Sequence, residues 1–193
     1  MSKQIVLYFG SFNPPHIGHT ALASFILENN PIDELWFVVS PQNPLKEKSA
    51  LISARTRLEM TRLAVSNHPH IRVSDIEFYL PQPNYTIFTL TVLSEKFPDY
   101  HFGILMGADN LVHFHKWKNY KAILENHHIW CYPRPGYEIP DDFASHPSVS
   151  IIDAPQFDLS SSMIRKMIKE NKDIRFFVRE NVFAMIDCEG LYR

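Results

Sequence analysis

Leu7-Tyr8-Phe9-Gly10-Ser11-Phe12-Asn13-Pro14-Pro15-His16-Ile17-Gly18-His19 is the stretch on which the fold turns. Its first part continues an apolar run, Ile5 to Phe9, that predicts a buried strand. The run breaks at Gly10, crosses a loop stiffened by Pro14 and Pro15, and enters an apolar-periodic segment, Ile17 to Leu27, that predicts a helix. A strand, a tight loop and a helix start together present free backbone N–H groups and the positive end of the helix dipole, which is a phosphate-binding geometry. His16 and His19 stand at that helix start with a spacing that lets both rings face one pocket. The loop is neither a Walker A sequence nor G-x-G-x-x-G, since only Gly10 and Gly18 flank it. The two imidazoles have three readings: phosphate donors, a surface or structural helix pair, or two ligands of a zinc site. Zinc needs further ligands, and Cys131 and Cys188 stand singly, outside any C-x-x-C.

Composition narrows the class. The chain has 193 residues, 45% of them hydrophobic, which suits one domain with a proper core. A formal net charge of −2, with basic residues scattered, argues against a nucleic-acid partner. The two distant cysteines suggest no disulfide framework and fit a reducing cytoplasm. Met1 to Gln4 leads straight into the first strand, and no apolar run approaches the roughly 18 residues of a membrane span, so neither a signal peptide nor a membrane partner is expected. A homo-oligomer stays open.

Outward from the opening stretch, Glu34 to Val39 predicts a second buried strand. Ser40 to Lys46 is a Pro-punctuated loop at its C-terminal end, where Lys46 reads either as a solvated lysine or as a cation that closes on a phosphate. Residues 53–67 predict an amphipathic helix with three arginines on a charged outer face. Ile71 to Val73, then Ile76 and Phe78, predict a short strand or two. A stiff loop follows, in which Asn84 or Thr86 caps a helix over Ile87 to Phe97, and that helix start is a second anion site. His101 to Met106 predicts a further core strand ending in Gly107-Ala108-Asp109-Asn110. Asp109 there either holds a ribose hydroxyl or caps the Leu111–Phe114 turn. Trp117, flanked by polar residues, either stacks on an aromatic ligand ring or anchors the core. Beyond a helix over 119–126 and a strand over His128 to Tyr132, Arg134-Pro135-Gly136 opens a loop, as far as His146, that is expected on the surface. Val149 to Ile152 predicts another strand. Ser160, Ser161 and Ser162 then open a helix, Ser162 to Lys169, offering caps and phosphate hydrogen bonds, with Arg165 facing the same way. Glu180 to Cys188 predicts a final amphipathic helix. The alternation of strand and helix calls for an α/β fold: a doubly wound, Rossmann-like parallel sheet with helices on both faces. Both phosphate loops, 10–19 and 160–165, then fall at the carboxyl edge of that sheet.

Gly10-Ser11-Phe12-Asn13-Pro14-Pro15-His16-Ile17-Gly18-His19 resembles the G-x-F-x-P-x-H-x-G-H signature of the nucleotidylyltransferase superfamily, with Asn13 where many relatives carry Asp. Three further segments resemble one branch of it. Pro83 to Leu90 is similar to P-x-Y-T-x-x-T-L, Gly107 to Leu111 with Phe114 and Trp117 to G-x-D-x-L…F…W, and Leu159 to Arg165 to I-S-S-T-x-I-R. Together they cover nearly the whole chain, as one nucleotidylyltransferase domain over 1–193, and resemble the bacterial nicotinate-nucleotide adenylyltransferases of NAD biosynthesis. The resemblance implies ATP and nicotinate mononucleotide as substrates, with Mg²⁺ accompanying ATP and no metal held by the protein itself. It implies His16, His19 and Arg165 as catalytic residues. It implies an ATP site formed by Gly10, Ser11, Phe12, His16, His19, Lys46, Ser161, Ser162 and Arg165, and a mononucleotide pocket formed by Tyr85, Thr86, Asp109, Trp117 and Arg134. Lys46 falls where the family often has Pro-x-Lys, with Leu45 in place of the usual His. A phosphopantetheine-type adenylyltransferase, or a non-catalytic nucleotide sensor of the same fold, are the alternatives.

Overall fold

The computed structural model describes residues 2–41 and 51–193. Its centre is a six-stranded, all-parallel sheet in the order β3-β2-β1-β4-β5-β6. The strands are β1 (Lys3–Gly10), β2 (Glu34–Val39), β3 (Ile71–Ser74), β4 (Tyr100–Gly107), β5 (Ile129–Tyr132) and β6 (Val149–Ile151). The helices are α1 (Ile17–Asn29), α2 (Ala54–Val65), α3 (Thr86–Lys96), α4 (Ala108–Leu111), α5 (Tyr120–Asn126), α6 (Asp141–Ala144), α7 (Ser161–Lys169) and α8 (Glu180–Cys188). The doubly wound reading therefore holds.

Burial on both faces explains why the central strands read as unbroken apolar runs rather than as alternations. Val6, Tyr8, Leu35 and Phe37 face a core with α1, α2, α7 and α8, while Ile5, Leu7, Trp36 and Val38 face a second core with α3, α4 and α5. The chain reverses direction across β1. It leaves β1 toward β2 on one side, and the later crossover brings β4 to the other. Such a switch point opens a crevice outside the carboxyl ends of the two strands, at Gly10 and Gly107.

Four local expectations change. Ile76 and Phe78 lie in a 3₁₀ turn, Ile76–Tyr79, rather than a strand. That turn buries Glu77, which accepts a hydrogen bond from Thr89 (3.0 Å), and Asn84 Nδ2 donates to the Glu77 carbonyl (3.0 Å). Asn84 is thus spent on that turn, and neither it nor Thr86 caps α3, whose N-cap is Tyr85 without a side-chain bond. The 134–146 segment is not all surface loop: it contains α6, which tucks Phe143 into the core against Phe114. The helix after the serines begins one residue early, because Ser160 caps it by accepting from the Met163 N–H (3.1 Å). Among the described residues, no helix is long and apolar enough to cross a membrane.

Candidate active site

The crevice holds a cavity of about 750 Å³. Every site residue expected from the sequence lines it, except Lys46, which lies outside the described residues. Five segments far apart in the chain build most of it: the loop after β1, the start of α3, the turn after β4, the end of β5 with Arg134, and the start of α7.

The loop after β1 is shaped by its own side chains. Phe12 sits at φ +43, a left-handed conformation uncommon for a phenylalanine. This folds its ring back over Gly10, where a Cβ would lie 2.6 Å from the ring, so the G-x-F spacing has a packing reason. The buried Phe12 ring meets Tyr8, Phe37 and the edge of His19, with centroids 5.2 Å apart in the last pair. His19 Nδ1 accepts the His16 N–H at the start of α1 (3.1 Å). The hydrogen of the neutral His19 ring is therefore on Nε2, which leaves that ring as a donor. His16 lies against it, with centroids 3.7 Å apart.

His16 is almost fully buried. Burial, reinforced by Arg134, pushes its pKa down to about 4, so the ring is neutral at pH 7. Between pH 6.5 and 4 the unfolded chain takes up this proton and the folded one does not. Stability contributed here is complete above pH 6.5 and declines as pH falls through that window, by up to about 3 kcal/mol. Melting temperatures measured from pH 7 to pH 4 should fall, and His16→Asn should flatten that limb. His127 and His128, also held low by burial, supply the residual slope.

The start of α7 is stitched to the first loop through main-chain oxygens. Ser161 Oγ donates to the Pro14 carbonyl (2.8 Å) and Arg165 Nη1 to the Asn13 carbonyl (2.8 Å), while Arg165 Nη2 reaches Ser162 Oγ (3.1 Å). Tyr192 OH donates to Asn13 Oδ1 (2.8 Å), so the far end of the described chain braces the same residue.

On the opposite wall, Asp109 lies in the first turn of α4 and does not cap a later turn, as Gly107 is the N-cap. The Asp109 carboxylate occupies the space a Cβ on Gly107 would need, so glycine there lets the carboxylate sit where it does. Asp109 Oδ1 and Arg134 Nε stand 3.6 Å apart, an ion pair too long for a hydrogen bond. Arg134 Nη2 donates to Tyr132 OH (3.0 Å). Burial opposes the Arg134 charge, but Tyr132, Asp109 and Tyr8 outweigh it and raise its pKa. Trp117 is half-buried: its ring packs on Phe114 (5.2 Å) and also lines the cavity, so the two readings of it combine. Lys118 Nζ sits over the rings of Tyr85 and Phe88, at 4.7 and 4.6 Å.

Among the described residues, five buried side-chain polar atoms lack a hydrogen-bond partner: Ser11 Oγ, His16 Nδ1, Asn84 Oδ1, Asp109 Oδ1 and Arg134 Nε. All five residues line this one cavity. Asp109 Oδ1 and Arg134 Nε face each other in the ion pair above; each of the other three costs about 1–3 kcal/mol in a protein that binds nothing there, so their convergence marks a site built for a polar ligand. No group of three or more His, Cys, Asp or Glu capable of holding a metal occurs among the described residues.

Sequence reasoning missed two residues here. Arg57, assigned to an outer face, is fully buried. The i, i+4, i+7 spacing of Arg57, Thr61 and Ala64, all buried, was the available signal. The Tyr192–Asn13 contact spans 179 residues and left no local signal.

Residues 7–167 match the cytidylyltransferase-like family. A relative from Flavobacterium psychrophilum, described as a probable nicotinate-nucleotide adenylyltransferase, is 47% identical over 191 residues, covering 98% of this chain and 99% of the relative. A relative of the same description from Christiangramia forsetii is 45% identical over 195 residues, covering both chains fully. Among solved structures, the nicotinic acid mononucleotide adenylyltransferase of Plasmodium falciparum complexed with NaAD superposes with a TM-score of 0.82 at 22% identity, over 98% of this chain and 97% of that one, a likeness of fold.

Proposed function

The chain belongs to the cytidylyltransferase-like family, among its nicotinate-nucleotide adenylyltransferases, and we propose that the cavity at the β1/β4 switch point carries out their reaction with the residues described above. The enzyme transfers the adenylyl group of ATP to nicotinate mononucleotide, giving deamido-NAD and pyrophosphate. The observation that carries the assignment of the site is that all five buried polar atoms without a hydrogen bond, among the described residues, belong to residues lining this cavity.

The nucleophile is the mononucleotide's phosphate oxygen and the target is the α-phosphorus of ATP. A phosphate monoester has a second pKa of about 6 and is already largely ionised at neutral pH, so no general base is assigned. Catalysis then consists of alignment and of stabilising charge on the in-line transition state. His19, through Nε2–H, and His16 donate to the phosphates from the start of α1. Arg165 and Ser162 meet the leaving pyrophosphate from α7, and Ser11 Oγ adds a neutral donor. Mg²⁺ suits this donor set, because it is held well by phosphate oxygens with few protein ligands; it would ride on ATP beside the hydroxyls of Ser11 and Ser162 and offset charge on the triphosphate.

For the mononucleotide, the first N–H groups of α3, at Tyr85 and Thr86, face an anion such as the nicotinate carboxylate. Asp109 and Arg134, joined by a long ion pair, supply a carboxylate and a guanidinium for the ribose and its phosphate. Trp117 offers its ring to the pyridine. The free cysteines, buried Cys131 and exposed Cys188, fit a cytoplasmic setting.

The test is Mg²⁺-dependent pyrophosphate release from ATP with nicotinate mononucleotide, nicotinamide mononucleotide and phosphopantetheine in parallel. Release with the first far above the others is expected. Release only with phosphopantetheine overturns the pocket, and none with any of them leaves a nucleotide sensor. Trp117→Ala should raise KM for the mononucleotide by about 10- to 100-fold while KM for ATP stays put. An unchanged mononucleotide KM would remove the stacking role.

A further inference from the structure

We infer that Arg57 is a positioning residue for adenylyl transfer, its guanidinium holding the Ser11–Phe12 peptide so that the Phe12 N–H faces the phosphate. This rests on the reading of the loop after β1 as the ATP site.

Arg57 is fully buried in the first turn of α2 and, among the described residues, donates only to main-chain oxygens. Nη1 reaches the carbonyls of Ser11 (2.5 Å) and Ser40 (2.9 Å), Nη2 that of Pro41 (2.7 Å), and Nε that of Ile52 (3.2 Å). A buried guanidinium is ordinarily balanced by a carboxylate. Among the described residues none pairs with this one, and three of the four carbonyls it gathers, those of Ser11, Ser40 and Pro41, lie just beyond the carboxyl ends of β1 and β2. Unattended, those oxygens would put partial negative charge at the edge where a triphosphate must sit.

The geometry of one peptide gives the inference its content. In a planar trans peptide the N–H points opposite to the carbonyl. With the Ser11 oxygen drawn to Arg57, the Phe12 N–H is turned away from Arg57, toward the cavity that Ser11, Phe12 and Asn13 line. The positive φ of Phe12 shows that this orientation is the costly one. Rotating the Ser11–Phe12 peptide by half a turn would bring Phe12 back to an extended φ and aim a carbonyl at the phosphate. Arg57 is the group that prevents this relaxation. Lysine keeps the charge but has no planar fork to hold several carbonyls at once, so Arg57→Lys separates charge from geometry.

The experiment compares wild type, Arg57→Lys and Arg57→Ala. Steady-state kinetics with ATP and nicotinate mononucleotide and thermal melts are read alongside the amide resonance of Phe12 in protein labelled with ¹⁵N-phenylalanine. Arg57→Lys should lower kcat by about 10²-fold, the scale of one lost backbone donor, with KM for the mononucleotide nearly unchanged. Adding a non-hydrolysable ATP analogue should shift the Phe12 amide in wild type and not in Arg57→Lys. Guanidinium ion should restore part of the rate lost in Arg57→Ala. Wild-type kcat in Arg57→Lys, or an unaltered Phe12 shift in that variant, overturns the inference. So does a parallel loss of both substrate affinities and of melting temperature that guanidinium does not relieve, since that marks general support of the fold. Failure of the wild type itself to release pyrophosphate would instead sink the assigned reaction.

Discussion

His19→Ala is expected to slow pyrophosphate release by about 10²–10³-fold at saturating substrates while leaving the protein folded. The rate loss follows from how tightly this ring is specified. Its Nδ1 is occupied by the His16 N–H, so its ring hydrogen sits on Nε2, and it is clamped between the His16 and Phe12 rings. A donor fixed before the reaction stabilises the developing charge on the transferring phosphoryl group without reorganising at the moment of transfer. Stability should change little, because the side-chain bond lost at the helix start is worth about 1 kcal/mol. The melting temperature and kcat measured on the same preparation separate the two effects. Turnover near wild type in a folded His19→Ala protein would take the histidine pair out of the mechanism.

The second large effect belongs to Arg165. Its two terminal nitrogens hold the Asn13 carbonyl and Ser162 Oγ, so one side chain ties the two loops together and, on the proposed reading, would bring charge to the triphosphate. Arg165→Ala should reduce kcat/KM for ATP by about 10²–10³-fold, as expected for losing a charge-assisted contact to a phosphate. Arg165→Lys should fall between the two proteins, since it returns a point charge without the fork. Ser161 to Pro14 still joins the loops and Tyr192 still braces Asn13 in both variants, which keeps the fold. KM for nicotinate mononucleotide should move far less than KM for ATP. An ATP dependence unchanged in Arg165→Ala would contradict its placement at the triphosphate.

The two phosphate loops were legible because their chemistry is local. Gly10, the prolines and the histidine pair announce a strand, a break and a helix start within one short window, and the serines with Arg165 do the same at α7. Asp109 and Trp117 were legible as residues following a strand, but each kept two readings until their neighbours were known. Asp109 turned out to face Arg134, and Trp117 to rest on Phe114 with its remaining surface on the cavity. The misreadings had a shared origin. Ile76 and Phe78 were read by alternation alone, yet burial of Glu77 against Thr89 bends that segment into a 3₁₀ turn. Arg57 was read by residue type, and type says only that an arginine prefers water.

By itself, the sequence determined the order of the six sheet strands and of the longer helices, the parallel doubly wound class and the two loops proposed to bind phosphate. Apolar runs, turn residues and helix starts act within a few residues of themselves, so they can be read without partners. The tertiary structure alone decided which distant groups share the cavity: Arg57 on the Ser11 carbonyl, Arg165 on the Asn13 carbonyl and Tyr192 on the Asn13 side chain. Those contacts end on main-chain oxygens or cross most of the chain. A carbonyl is the same at every position, and its exposure at the end of a strand depends on where the sheet stops and which helix packs beside it.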